Sequence, residues 1–222
     1  MRLLAIATDY DATLATDGYA PPFALTALRQ AQDSGRTLIL VTGRELDSLR
    51  TVFPALALFD LVVAENGALL YQPETNRERV LSKAAPNGLL AELRRRQVHP
   101  LSVGRSVIAT VTPQETVVEK ALRDLDLPWH VIMNRESVMV LPRGIDKGTG
   151  LMAALADLGL SAESVMGIGD AENDFAFLRL CGLSVAVANA IPSLKKQVQL
   201  VTQGERGDGV AEAVSHLLTI DP

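Results

Sequence analysis

The sequence predicts an α/β fold, in which an open, Rossmann-like parallel sheet with helices on both faces is interrupted by an inserted α+β domain. Short apolar runs alternate with helical stripes from residue 3 to 64 and again from 147 to 218. Right-handed crossovers turn that rhythm into a parallel sheet covered on both sides. Between about Tyr71 and Pro142 the rhythm changes to helices mixed with paired strands. The length of 222 residues falls between one and two domains at roughly 150 residues each, which leaves room for one domain and a smaller insertion.

Leu3 to Thr8 reads as a buried strand, Pro22 to Gln32 as a helix with an apolar stripe, and Thr37 to Thr42 as a second strand. Pro21 and Pro22 sit where a first helical turn has no use for N–H groups, and Ser34-Gly35 stops the helix. Helix Glu45 to Val52 and strand Leu61 to Ala64 continue the alternation. Within the insertion come helix Leu89 to Gln97, strand Ser106 to Val111 and helix Thr116 to Leu125. Strands Trp129 to Met133 and Val138 to Leu141 follow, separated by Asn134-Arg135-Glu136-Ser137. After Gly144 the first rhythm resumes: helix Lys147 to Leu158, strand Ser164 to Ile168, helix Asn173 to Leu180 and strand Leu183 to Val187. A short helix, strand Val198 to Val201 and final helix Gly209 to Leu218 complete it. Pro73, Pro86, Pro142 and Gly144 punctuate the insertion, so the expected core is residues 1–72 with 143–222 and the inserted domain is 73–142.

Composition removes several functions. Apolar residues make up 48% and aromatics 4% of the chain, with one Trp, which suits close-packed strands and helices better than a platform of rings for stacking nucleic-acid bases. Lys plus Arg number 21 against 26 Asp plus Glu, a net charge of −5 that speaks against a polyanion partner. Cys181 is alone and offers no disulfide or thiolate metal site. His99, His130 and His216 have neither triad nor metal spacing and read as packing or surface residues. The first apolar run meets an aspartate too early for a signal peptide, and no window is long enough to span a membrane. The expectation is a cytoplasmic protein, monomer or homodimer, with no nucleic-acid or membrane partner.

The carboxylate surplus gathers at strand ends. Asp9-Tyr10-Asp11 follows the first strand, and alternation sends both acids to one side and Tyr10 to the core or rim. The carboxyl ends of parallel strands are where such sheets bind ligands, and two neighbouring anions there call for a cation. Alone, Asp11 serves equally well as a turn cap. Gly167-Ile168-Gly169-Asp170-Ala171-Glu172-Asn173-Asp174 also follows a buried strand and brings Asp170 and Asp174 to the same edge. Helix capping by Asp170 or Asn173 explains one residue but not the accumulation. Oxygen donors without nitrogen or sulfur favour a hard cation, Mg²⁺ before zinc. Val41-Thr42-Gly43-Arg44 ends the second strand with a hydroxyl and a helix start that can grip phosphoryl oxygens, or simply cap. In Gly144-Ile145-Asp146-Lys147-Gly148 a lysine stands at a positive helix end, which requires a local anion unless the side chain is solvated; Asp146 is its partner or a cap.

These four segments, in this order, resemble the haloacid dehalogenase-like superfamily of phosphohydrolases, in the branch with a large cap inserted between the second and third motifs. The resemblance implies Asp9 as nucleophile, Asp11 as general acid and base, Thr42 as phosphate hydroxyl and Lys147 as the charge-neutralising group. It implies Mg²⁺ on Asp9, Asp11 (through its main-chain carbonyl) and Asp170, with Asp174 in support. Asn173 orients the last motif. Gly43, Arg44 and Asn66 join Thr42, Lys147 and Asn173 around the substrate, Asn66 lying in the Glu65-Asn66-Gly67-Ala68 stretch that borders the family's active site. The implied activity is magnesium-dependent hydrolysis of a small phosphorylated metabolite, phosphoglycolate or a sugar phosphate, through an aspartyl-phosphate. A phosphotransferase or phosphomutase on the same aspartate, or a non-catalytic ligand-binding protein on the same scaffold, are the alternatives.

The chain departs from the family's Asp-x-Asp-Gly-Thr in reading Asp9-Tyr10-Asp11-Ala12-Thr13. Ala12 is expected in a right-handed turn, where its methyl is tolerated. The cap is locally basic: from 77 to 105 it carries Arg77, Arg79, Lys83, Arg94, Arg95, Arg96 and Arg105 against Glu78 and Glu92. Three consecutive arginines cover about 200° of a helix and cannot share one ligand. They form a solvated face, or one or two of the basic residues, with Arg105, Arg135 or Arg143 as further candidates, recognise a second anionic group.

Overall fold

The computed structural model describes residues 2–221. Its larger sheet has eight strands in the order β12-β11-β10-β1-β2-β3-β4-β5. The centre is built from β1 (Ala5–Thr8), β2 (Thr37–Val41) and β3 (Leu61–Ala64), joined through α1 (Pro22–Asp33) and α2 (Leu46–Val52). Every residue of β1 and β3 is buried, as expected for parallel strands covered on both faces. Helix α1 turns Ala24, Ala27, Leu28 and Ala31 to the sheet, a stripe of mostly small side chains.

The parallel sheet carries an antiparallel edge. Strands β4 (Leu69–Gln72) and β5 (Arg77–Val80) form a hairpin on β3, with Leu69 opposite Val80. The changed rhythm places 77–80 within the insertion, whereas the chain hydrogen-bonds them into the larger sheet. The sequence Arg-Glu-Arg-Val has no apolar alternation, and all four residues are exposed: a charged edge strand gains its order from its partner and resists further pairing.

The second sheet runs β6-β7-β9-β8, all antiparallel, from β6 (Ser102–Val103), β7 (Ile108–Val111), β8 (Trp129–Asn134) and β9 (Ser137–Pro142). Helices α3 (Asn87–Arg95) and α4 (Glu115–Asp124) cover one face, burying Leu89, Leu93, Ile108, Val118, Leu122, Trp129 and Val140. On the other face Val107, Met139 and Leu141 pack with Ala68 of the larger unit. That uncovered face roofs the carboxyl ends of the parallel strands.

The chain returns through α5 (Lys147–Leu158), β10 (Val165–Gly169), α6 (Phe175–Leu178), β11 (Leu183–Ala186), α7 (Pro192–Lys195), β12 (Leu200–Val201) and α8 (Arg206–Ile220). Asp146 is a cap: its carboxylate accepts the Thr149 amide at 2.8 Å, and the Thr149 hydroxyl accepts the Asp146 amide at 3.0 Å. The helix expected from Asn173 to Leu180 is shorter, a 3-10 turn over Glu172–Asp174 leading into the four residues of α6. Among the described residues no helix is long and apolar enough to cross a membrane.

Candidate active site

Asp9 directly follows β1 and is 3% exposed. Lys147, the first residue of α5, has none of its surface exposed; its Nζ donates to Asp9 Oδ1 at 2.5 Å and to Asp174 Oδ1 at 2.6 Å. The solvated-lysine alternative is thereby excluded. Burial alone would favour loss of its proton, but Asp174 and Asp9 outweigh it and hold the Lys147 pKa above its ordinary value. The Lys147 ammonium is shared by Asp9 and Asp174, and Asp170 is paired with Arg135, so three carboxylates face two cations. Burial first, then Asp174 and Asp170, push the Asp9 carboxyl well above the usual range despite Lys147. The Asp170 carboxyl is also raised, by burial and then by Asp174.

Asp9, Asp170 and Asp174 each present an oxygen within 4.8 Å of the others. Three buried oxygen donors with surplus charge fit a hard divalent cation. Their engagements differ. Asp174 spends Oδ2 on the amides of Asp170 and Ala171 at 2.8 and 2.9 Å and Oδ1 on Lys147, so it braces the turn. Asp170 accepts from the Thr13 hydroxyl at 2.8 Å on Oδ1 and from Arg135 on Oδ2. The Asp11 carboxylate stays outside the cluster, half-buried, taking Arg44 Nε at 2.8 Å and Nη2 at 2.7 Å.

Ala12 corrects the expectation of a right-handed turn: its φ is 60°, in the left-handed region. The chain must reverse between Asp11 and Thr13. Leu14 and Ala15 donate back to the Tyr10 carbonyl at 2.9 and 2.8 Å, and Asn189 Nδ2 pins the Ala12 carbonyl at 2.8 Å. That reversal aims the Thr13 hydroxyl at Asp170, at a cost of roughly 1 kcal/mol for the methyl. Tyr10 points away from the site as expected, fully buried, donating to the Gly18 carbonyl at 2.7 Å and packing on Phe53.

Thr42 is buried, and its hydroxyl accepts the Arg44 amide at 3.1 Å. Asn66, at φ 54°, donates its amide to the Thr42 carbonyl at 3.0 Å, and its Oδ1 accepts Asn173 Nδ2 at 2.9 Å. Asn66 Nδ2 is buried without a protein partner, a donor set beside the Thr42 loop where an anion would satisfy it. Structure therefore brings Asp9, Asp11, Thr42, Gly43, Arg44, Asn66, Lys147, Asp170, Asn173 and Asp174 to one end of the sheet.

A cavity of about 630 Å³ lies between the two units, with Asp11, Ala12 and Arg44 on one side and Ser102, Arg135 and Met139 on the other. A Cβ on Gly43 would stand 3.0 Å from Met139 Sδ, so Met139 roofs the Thr42-Gly43 loop as well as packing in its strand. Arg135, at the β8–β9 turn, donates its amide to Glu172 at 3.1 Å and its guanidinium to Asp170 Oδ2 at 2.5 and 3.0 Å. Arg105 is committed to Asp47 and Glu78, outside the cavity lining, and Arg143 lines a different cavity beside His130. Arg95 and Arg96 pair with Glu92, and Arg96 also with Asp124, as a solvated helix face does. Sequence reasoning missed Asn189, whose side chain also takes the Arg206 amide at 2.8 Å; a lone amide in the apolar stretch Val187-Ala188-Asn189-Ala190-Ile191 belongs to no motif and carries no signal.

The family model for haloacid dehalogenase-like hydrolases matches residues 6–126 and 130–214. The chain is 35% identical to a phosphoglycolate phosphatase of Methanothermobacter thermautotrophicus, over 96% of this chain and 98% of that protein. It is 31% identical to a phosphoglycolate phosphatase of Pyrobaculum aerophilum, over 98% of this chain and 96% of that protein. Its fold matches the crystal structure of a haloacid dehalogenase-like hydrolase from Bacteroides thetaiotaomicron with a TM-score of 0.82 at 21% identity, covering 97% of this chain and all of the other.

Proposed function

We propose, from the premise that the chain belongs to the haloacid dehalogenase-like hydrolases, that it is a magnesium-dependent, cytoplasmic phosphatase of small phosphorylated metabolites, with phosphoglycolate as the first candidate substrate. The observation that carries the reading is Asp9 buried against Lys147 with Asp170 and Asp174 alongside. In this reading the larger sheet up to Val80 and from Arg143 onward is the catalytic core, and the residues between form the cap.

Asp9 attacks phosphorus in line, its carboxylate oxygen forming the new bond while the ester oxygen leaves. Asp11 protonates that oxygen. Arg44 holds the Asp11 carboxylate in the free site; Arg44 turning to the phosphoryl oxygens releases Asp11 to take up a proton from the bound phosphomonoester or from water and pass it to the leaving oxygen. Thr42, Lys147 and Asn66 hold the transferring group. Asp9, Asp170 and the Asp11 carbonyl would hold Mg²⁺, which supplies charge neutralisation at the phosphoryl oxygens. Asp11, deprotonated by the first step, then takes a proton from the water that cleaves the aspartyl-phosphate. Arg135 faces the cavity and suits a second anionic group such as a carboxylate.

The test is phosphate release from a panel of phosphomonoesters with and without Mg²⁺. Phosphoglycolate is expected to lead, with turnover lost in chelator. No magnesium-dependent release across the panel refutes the reading, and transfer of labelled phosphate to a sugar hydroxyl instead of water replaces it with the phosphotransferase.

A further inference from the structure

Glu65 is fully buried, stands at φ 51°, and takes no part in the chemistry above. Its carboxylate leaves the larger unit and enters the second one: Oε1 accepts the Arg105 amide at 2.8 Å, and Oε2 accepts the amides of Ser106 and Val107 at 2.8 and 3.2 Å. Three consecutive backbone N–H groups converging on one carboxylate form an anion nest whose anion comes from the opposite unit. The approach is close. A Cβ on Gly104 would stand 2.6 Å from the Glu65 carboxyl carbon, so only glycine lets the loop settle there.

The other end of Glu65 is tied to the phosphate loop. Its amide donates to the Arg44 carbonyl at 2.9 Å, and that of Asn66 to the Thr42 carbonyl at 3.0 Å. Val107, at the end of the nest, packs with Met139, which roofs Gly43. A continuous path thus runs from Thr42–Arg44 through Glu65 to the loop at 104–107 and back over the cavity. Arg105 with Asp47, and Ser102 with Glu45, add exposed contacts around it.

We propose that Glu65 is a positioning residue that locks the cap in register over the phosphate-binding loop, so that loop and roof move as one body. The inference rests on the proposed phosphatase reading for its kinetic part only. Replacing the carboxylate by an amide removes the charge and one of its two accepting oxygens, turns an NH2 group against the nest and so uncouples cap from loop, while Asp9, Asp11 and Lys147 keep their places.

Glu65→Gln and Gly104→Ala attack the contact from its two sides. Hydrogen exchange of residues 103–108 is followed with and without inorganic phosphate, alongside KM and kcat for phosphoglycolate and for p-nitrophenyl phosphate. Phosphate is expected to slow exchange at 103–108 in the unmodified protein and not in either variant, in which these amides exchange about tenfold faster, the factor of one charged hydrogen bond. KM for phosphoglycolate rises about tenfold in both, the double variant is no worse than either single one, and p-nitrophenyl phosphate, whose activated leaving group needs less from the cap, changes less than about twofold. Faster exchange with an unchanged phosphoglycolate KM makes Glu65 structural only and overturns the proposal. Equal KM changes for both substrates, or additive single effects, also overturn it. If the unmodified protein hydrolyses neither ester, the phosphatase reading has failed, and the phosphate-dependent exchange still decides the coupling.

Discussion

Lys147 Nζ lies 2.6 Å from Asp174 Oδ1 with both side chains fully buried, and Asp9 Oδ1 is 2.5 Å away on the other side. This ammonium is what makes a pile of carboxylates foldable before any ligand arrives. Lys147→Met leaves Asp9 and Asp174 buried and unpaired and is expected to cost about 3–5 kcal/mol of stability. Adding Asp174→Asn returns part of that loss, since the amide oxygen still accepts the Asp170 and Ala171 amides. Denaturant unfolding of the two variants beside the parent checks both statements; an unchanged midpoint for Lys147→Met contradicts the first.

Asp9→Asn separates chemistry from folding. The Asp9 carboxyl is already biased toward its neutral form by burial and by Asp174 and Asp170, so a neutral isostere fits the site. Lys147 keeps Asp174. Thermal stability should hold while magnesium-dependent phosphate release falls by about a thousandfold or more, the scale for removing a nucleophile. Full activity in the purified variant would remove Asp9 from its role.

How much of this could be read beforehand differs residue by residue. Asp9, Thr42 and Asp170 stand at the ends of apolar strands and Lys147 at a helix start, where the local pattern marks both element and edge. Arg135 and Arg105 show no such difference. Only the tertiary partners, Asp47 and Glu78 for one and Asp170 for the other, decide which reaches the cavity. The hairpin at 69–80 was hidden because its outer strand owes its order to pairing with β4 and not to apolar alternation. Ala12 misled in the opposite direction. Alanine normally signals a right-handed backbone, and here the bonds to Tyr10, Ala15 and Asn189 override that preference.

The strain at Ala12 is removable. With φ at 60°, Ala12→Gly frees the backbone from a conformation that Cβ disfavours, and the greater freedom of glycine in the unfolded chain offsets part of the gain. A net stabilisation of about 0.5–1 kcal/mol follows, or roughly 1–4 °C in thermal midpoint for a chain of this size. Scanning calorimetry of the two proteins measures it, and a lower midpoint for the glycine variant would show that the methyl packs more favourably than it strains.

Burial pushes the Cys181 thiol up to about 12, from an ordinary value of 9.0. The unfolded thiol ionises as pH passes 9, whereas the folded one stays protonated until about 12. The contribution of this group to stability is therefore intact below pH 9 and declines as pH rises through that interval. Alkylation with iodoacetamide at pH 8.5 is expected to be at least about tenfold slower in the native protein than in urea. Equal rates would place the thiol in a more open setting.

Arg135 and a metal ion both draw on the Asp170 carboxylate. The guanidinium holds Asp170 Oδ2 at 2.5 Å, and Asp170 is one of the three carboxylates that can share a cation. Arg135→Gln should therefore lower the Mg²⁺ dissociation constant several-fold, because the ion no longer displaces a bound cation. The same change removes the cap's charged group from the cavity wall, so KM for phosphoglycolate should rise by about tenfold, with a smaller change for a phosphomonoester without a second anion. Calorimetric titration with Mg²⁺ and steady-state kinetics read the two effects separately. Weaker metal binding in the variant would show that Arg135 orders Asp170 for the ion and does not stand in its way; an equal KM change for both esters would show that the second anion is read elsewhere.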